Sequence, residues 1–155
     1  MKNTDSILSP EQKAALILAL TEHVQSECSA VDMEQRFRDT IDELYSFDSI
    51  GGPFSGMTPS RVLEEMDPVA FRCGVSDSSD HENVVEIGGD YYDTDEVDEA
   101  RESFVTDLQK ELESAESERD ELENDEDDDA NALAEAERAV ALLEAKIEEV
   151  ENHAF

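Results

Sequence analysis

The sequence predicts a mainly α-helical protein with a minor β component, and three observations carry that expectation. Apolar residues recur at three- and four-residue spacing over most of the 155 positions. Helix-start signals of the Ser/Asp-x-x-Gln and Thr/Asp-Pro kinds precede those stretches. The segment 84–92 sets apolar residues around a Gly-Gly pair, a hairpin pattern because both turn positions need positive φ. The expected architecture is an N-terminal helical pair, a small middle region with short helices and a β-hairpin, and a C-terminal antiparallel helical hairpin of coiled-coil type. Residues 1–95 would form a small mixed α/β domain and residues 96–155 an acidic helical hairpin.

Ser9-Pro10-Glu11-Gln12 opens the first helix: Ser caps, Pro suits the first helical position, and Gln completes a capping box. Leu16, Ile17, Leu20 and Val24 share one face of it. The second helix starts at Asp32, again with Gln three residues on, and carries the stripe Met33, Phe37, Ile41 and Leu44. The two read as a core-forming hairpin. Beyond Ser46 the texture changes to short elements. Ile50-Gly51-Gly52-Pro53-Phe54 resembles Ile87-Gly88-Gly89-Asp90-Tyr91, but Pro53 would confine the first copy to a sheet edge. Thr58-Pro59 caps a short helix with Val62, Leu63 and Met66, and Asp67-Pro68 caps another over residues 69–73, with Gly74 ending it as a C′ residue.

From Glu96 onward the chain reads as helix almost throughout. Val97, Phe104, Leu108, Leu112, Ala115 and Leu122 line the first stretch. Leu133, Ala136, Val140, Leu143, Ile147 and Val150 form a seam of alternating three- and four-residue steps in the second. Residues 124–129, Asn-Asp-Glu-Asp-Asp-Asp, separate them. Five consecutive acids would crowd like charges along a helix, so a turn is favoured there, with Asp129 capping the second stretch. One long helix that dimerises with a second copy is the rival arrangement.

The segment Ser60-Arg61-Val62-Leu63 through Asp67-Pro68-Val69-Ala70-Phe71-Arg72-Cys73-Gly74 to Asp77 and Asp80 resembles part of a family of small proteins carried by bacteriophages and related mobile elements. There a Ser-Arg/Ala-x-Leu helix runs into Asp-Pro-x-Ala-aromatic-Arg-x-Gly-x-x-Asp-x-x-Asp. The match spans residues 60–80. It implies a mobile-element origin and carries over no site.

Composition bounds the chemistry. Forty-three acidic residues against eleven basic ones give a formal charge of −32. Residues 1–50 hold −6 of it, residues 51–95 hold −8, and residues 96–155 hold −18. Such a surface selects a cationic partner and repels nucleic acid. Met1-Lys2-Asn3-Thr4-Asp5-Ser6 lacks the build of a signal peptide, and the apolar run 14–20 falls far short of the roughly 20 residues of a membrane span. Cys28 and Cys73 make neither a disulfide framework nor a metal-type spacing. A cytoplasmic protein with free thiols is expected, in the host cytoplasm if a phage encodes it, with no cofactor, no metal and no membrane.

Catalytic groups are not marked out. His23 falls on a helix and His153 near an end; Cys73 and a loop His81 would make a nucleophile and base but lack an oxyanion hole and an orienting third group. Asp125, Asp127 and Asp129 have the one-three-five spacing of a calcium loop, yet its sixth and twelfth positions are Ala130 and Ala136 instead of Gly and Glu. The chain does not read as an enzyme.

What remains is the acidic surface, with Glu111, Glu118, Asp120, Glu121, Asp125, Glu126, Asp127 and Asp128 as the candidate partner-binding residues. Three readings compete. The first is a DNA mimic that occupies the nucleic-acid-binding surface of a host defence protein, as an anti-CRISPR or anti-restriction inhibitor. The second is a non-enzymatic coiled-coil interaction or assembly protein whose charge serves solubility. The third is salt adaptation, which the C-terminal concentration of charge disfavours.

Overall fold

A computed structural model of the chain describes residues 7–47, 52, 55–81, 83–124 and 130–155, the side chains of 79–81 excepted. The described residues form six helices and one antiparallel two-stranded sheet: α1 Pro10–Glu27, α2 Met33–Leu44, α3 Pro59–Met66, α4 Pro68–His81, β1 Val84–Ile87, β2 Asp90–Asp93, α5 Thr94–Glu123 and α6 Ala130–Asn152. The mainly helical class with a minor hairpin is the one expected. The grouping is not. Two compact units form, one from Met1–Cys28 with Glu96–Phe155 and the other from Ser29–Asp95, so α1 belongs with the C-terminal helices.

In the first unit α5 and α6 pack as an antiparallel hairpin. Helix α5 stops at Glu123 and α6 starts at Ala130, which removes the rival of one unbroken helix; the acid run 125–129 lies outside the described residues. Helix α1 is started by the expected capping box. The Ser9 hydroxyl accepts from the Gln12 N–H at 3.2 Å, and Gln12 Oε1 accepts from the Ser9 N–H at 2.8 Å. Its buried stripe of Leu16, Leu20 and Val24 joins Val97, Ala100, Val105 and Leu108 of α5 and Val140 and Val150 of α6 in one core. Each buried Leu or Val among them contributes about 1.5–3 kcal/mol by leaving water. Around it, Lys13 Nζ meets Glu149 Oε2 at 2.6 Å, and the His23 ring lies tilted on Phe104 at 5.3 Å. The stripe of α1 thus serves the acidic hairpin and not the expected pairing with α2: amphipathicity fixes that a helix buries one face, not which neighbour covers it.

In the second unit α2, α3 and α4 pack on one another beside the hairpin. Met33, Phe37, Phe71, Ile87 and Tyr92 are buried there. Asp32 caps α2 by accepting from the Gln35 N–H at 3.0 Å, and Asp67 caps α4 by accepting from the Ala70 N–H at 3.0 Å. The cap of α3 differs from expectation. Thr58 makes no cap hydrogen bond; instead Asp42, reaching across from α2, accepts from both the N–H and the hydroxyl of Ser60 at 2.8 Å. Strands pair in the register Val84↔Asp93 to Ile87↔Asp90 around Gly88-Gly89, whose φ values of 68° and 98° are those the turn requires. The Val31 N–H donates to the Tyr91 carbonyl at 2.7 Å.

Gly74 does not end α4, which continues to His81. The residue is a close-approach glycine. A Cβ placed on it would come within 3.0 Å of three atoms of the Phe37 ring, and that ring in turn meets Phe71 edge-on at 5.4 Å. Arg38 closes the same corner: its guanidinium lies 5.2 Å above the Phe71 ring and donates to Glu64 at 2.9 Å and Glu34 at 3.3 Å. The earlier Gly-Gly copy at 50–54 falls outside the described residues except for Gly52.

Candidate functional site

Helix α5 is the densest acidic element. Its 30 residues make a rod of about 45 Å at 1.5 Å per residue. Thirteen of them are acidic and three basic. Because Val97, Ala100, Val105 and Leu108 fix which side faces the core, the period of 3.6 residues assigns the acids to flanks. Glu96, Asp107, Glu111, Glu118 and Glu121 run along one flank; Asp98, Glu102, Glu113, Glu116, Asp120 and Glu123 run along the other. All are exposed except the half-buried Glu116. Between the rows, farthest from the core, lie the exposed Glu99, Thr106, Lys110 and Ser117, and Ser103 and Ser114 fall among the acids of the first flank. The two rows stand about one helix diameter apart, roughly 10–12 Å.

The bases of α5 are held by acids close by in sequence. Arg101 Nη1 meets Asp98 at 3.2 Å, Lys110 Nζ meets Asp107 at 2.8 Å, and Arg119 Nη2 meets Asp120 at 2.6 Å. The hydrogen bond from Lys110 and its charge hold the Asp107 carboxyl below the usual carboxylate range, and the bond to Asp120 raises the Arg119 guanidinium further. Glu111, Glu113, Glu116, Glu118, Glu121 and Glu123 make no ion pair among the described residues. Glu116 and Glu123 lie in the field of Arg119, and the charge of the other four is available to a partner. Helix α6 adds six acids and two bases.

Of the residues singled out from sequence, Glu111, Glu118 and Glu121 share one exposed row. Asp120 is exposed on the other row and already engaged by Arg119. Asp125, Glu126, Asp127 and Asp128 lie outside the described residues. Glu113, Glu116 and Glu123 belong to the same surface, and helical period is the signal that could add them. An apolar interface would instead need exposed aromatics as anchors, but of Phe54, Phe71, Tyr91 and Tyr92 in the Ser29–Asp95 unit, Phe71 and Tyr92 are buried, Tyr91 is half-buried and Phe54 lies outside the described residues. The exposed large apolar residues of that unit include Leu44 (69%), Tyr45 (60%), Met66 (79%) and Val69 (59%); Leu44, at the end of α2, stands outside the core stripe that the helical period assigns to it.

Cys73 is exposed on α4, and the backbone of His81, expected in a loop, ends the same helix. Cys28 is half-buried, and burial, then Glu96, Glu27 and Glu99, push its thiol up, away from the reactive thiolate. Among the described residues no group of three or more His, Cys, Asp or Glu is placed to hold a metal ion, and no helix is long and apolar enough to cross a membrane.

Comparison with known proteins adds no relative: no protein-family model, no curated protein and no solved structure matches the chain.

Proposed function

We propose that this protein is a non-enzymatic mimic of duplex DNA that occupies the cationic cleft of a nucleic-acid-binding protein, with a host defence nuclease or CRISPR effector as its target. The observation that carries the reading is the pair of exposed acid rows on α5. A major groove is about 12 Å wide, so two rows of carboxylates roughly 10–12 Å apart resemble the phosphates on its two sides. Charge density supports the same reading. Residues 96–155 carry −18, and folded back on themselves over about 42 Å they present one net charge per roughly 2.3 Å, against about 1.7 Å for the duplex. The segment 60–80, with its resemblance to phage and mobile-element proteins, agrees with a role against host defence.

The test is capture from a host lysate at 0.15 M salt with wild type and with a variant carrying Glu111→Lys, Glu118→Lys, Asp120→Lys and Glu121→Lys. Wild type should retain a nucleic-acid-binding protein that duplex DNA elutes, and should block that protein's action on DNA. The reversed variant should lose both while keeping its helicity, because none of the four side chains is buried. Equal retention by the variant would refute the mimic and transfer recognition to the exposed Leu44, Tyr45, Met66 and Val69, as in an interaction protein whose charge is only solubilising.

A further inference from the structure

The two edges of the β-hairpin differ. In an antiparallel pair, residues that exchange backbone hydrogen bonds with the partner strand alternate with residues whose N–H and C=O point away from it. The two-residue turn at Gly88-Gly89 makes Ile87↔Asp90 a bonded pair, and Val85↔Tyr92 is the next. The Thr94 N–H continues that phase by donating to the Asn83 carbonyl at 2.9 Å. Val84 and Glu86 of β1 and Tyr91 of β2 therefore turn their backbone groups outward. On the β2 side the edge is covered: Val31 forms an antiparallel bridge with Tyr91 and donates to its carbonyl at 2.7 Å. On the β1 side it is open. The outward N–H and C=O groups of Val84 and Glu86 make no hydrogen bond among the described residues. Strand edges are commonly guarded by proline, lysine or a bulge. The run Val84-Val85-Glu86-Ile87 has no proline and no lysine, and its register is unbroken.

The two faces of this edge set the chemistry of a strand that would extend it. A residue directly opposite β1 in an added antiparallel strand stands on the same face as its neighbour. On one face Val85 is half-buried, while Ile87 and the Tyr92 opposite Val85 are buried, so an added strand needs apolar residues there. On the other face Glu86 is exposed and makes no ion pair among the described residues, with the half-buried Val84 beside it. A lysine or arginine on that face gains an unpaired carboxylate, and its methylene stem can lie along Val84. The field agrees: Ser29–Asp95 holds sixteen acids against four bases, a net of −12.

We propose that the outer edge of β1 is a docking site for an extended segment of a partner protein whose residues alternate apolar and basic, added antiparallel as a further strand. Main-chain hydrogen bonds to Val84 and Glu86 supply affinity, and the alternation supplies specificity. A second copy of β1 fits the edge less well, since the strand contains no base to offer Glu86 and each unit carries −12. The site uses no residue of the acid rows on α5 beyond the unit boundary, so it stands or falls separately from the mimic reading.

The probe is the end-blocked peptide Lys-Val-Lys-Val-Lys-Val-Lys with two twins of the same sequence and charge, one N-methylated on its lysine amides and one on its valine amides. Lysines opposite Glu86 and Val84 are the residues whose N–H groups reach β1, so only their methylation removes the added ladder. In the full chain without peptide, the amides of Val84 and Glu86 should exchange with solvent faster than those of Val85 and Ile87. Saturating peptide should slow exchange at Val84 and Glu86 about tenfold, the valine-methylated twin should bind within about twofold of the parent, and the lysine-methylated twin about tenfold more weakly. Glu86→Gln should weaken the parent peptide about two- to threefold, with tyrosine fluorescence confirming the fold. Equal binding of the twins, or exchange at Val84 and Glu86 that the peptide leaves unchanged, would reduce the attraction to charge alone and overturn the proposal. Slow exchange at both amides before peptide is added, speeding up on dilution, would give the edge to a second copy and overturn it as well.

Discussion

Replacing Gly74 by alanine turns the packing of the second unit into a measurement. In an exposed helix interior Gly→Ala stabilises by about 1 kcal/mol, because alanine has the higher helix propensity. Gly74 sits inside α4, so that gain applies. Against it, the new Cβ would fall within 3.0 Å of three atoms of the Phe37 ring, which is held by its edge-on contact with Phe71. Overpacking of this kind costs about 1–3 kcal/mol, and three overlapping atoms place it toward the upper end. The net expectation is a loss of about 1–2 kcal/mol. All three tyrosines, Tyr45, Tyr91 and Tyr92, lie in Ser29–Asp95 and the chain has no tryptophan, so tyrosine fluorescence reports this unit alone. At an m-value of about 1 kcal/mol/M, the urea midpoint should fall by roughly 1–2 M. In a Phe37→Leu background the cost of Gly74→Ala should shrink or change sign, since the two sites couple through one contact. A Gly74→Ala protein more stable than wild type would refute the close-approach account.

The same unit yields two further outcomes. Asp42→Ala should cost about 1–2 kcal/mol by tyrosine-monitored unfolding, because it strips the cap from α3, whereas Thr58→Ala should cost no more than a few tenths. The Glu64 carboxyl is held below its ordinary 4.5 by the hydrogen bond and charge of Arg38, so its stabilisation is present above that value and lost as the pH falls through the depressed one. Glu64→Gln should therefore be less stable than wild type at pH 7, with the two converging in acid; a gap that persists at pH 2–3 would locate the effect in packing instead.

The parts of this fold that sequence discloses are those whose physics is local. Ser9 and Asp32 cap helices through bonds to residues three positions away, and Gly88-Gly89 supplies its own turn, so each is readable from its immediate neighbours. Asp42 caps a helix that begins seventeen residues later, and nothing in the string around Thr58 announces it. Gly74 shows the limit from the other side. A glycine near the end of an apolar stretch can be a helix stop or a place where a ring approaches the backbone, and only the position of Phe37 decides between them. The same holds for α1, whose stripe of Leu16, Leu20 and Val24 states that one face is buried and leaves the partner helix open. For the acidic surface the division is sharper still. Its total charge is a property of composition, and its two rows are a property of helical period, so both lie within reach of the sequence. Which acids remain free is not. Asp98, Asp107 and Asp120 are engaged by Arg101, Lys110 and Arg119, while Glu111, Glu118 and Glu121 are left to the solvent, and that choice rests on side-chain geometry at distances of 2.6–3.2 Å. Asp120 therefore belongs to the surface as a shared charge. A partner that recruits it must compete with Arg119 or approach the arginine's remaining donors, and the unpaired glutamates are where an incoming cation meets the least resistance.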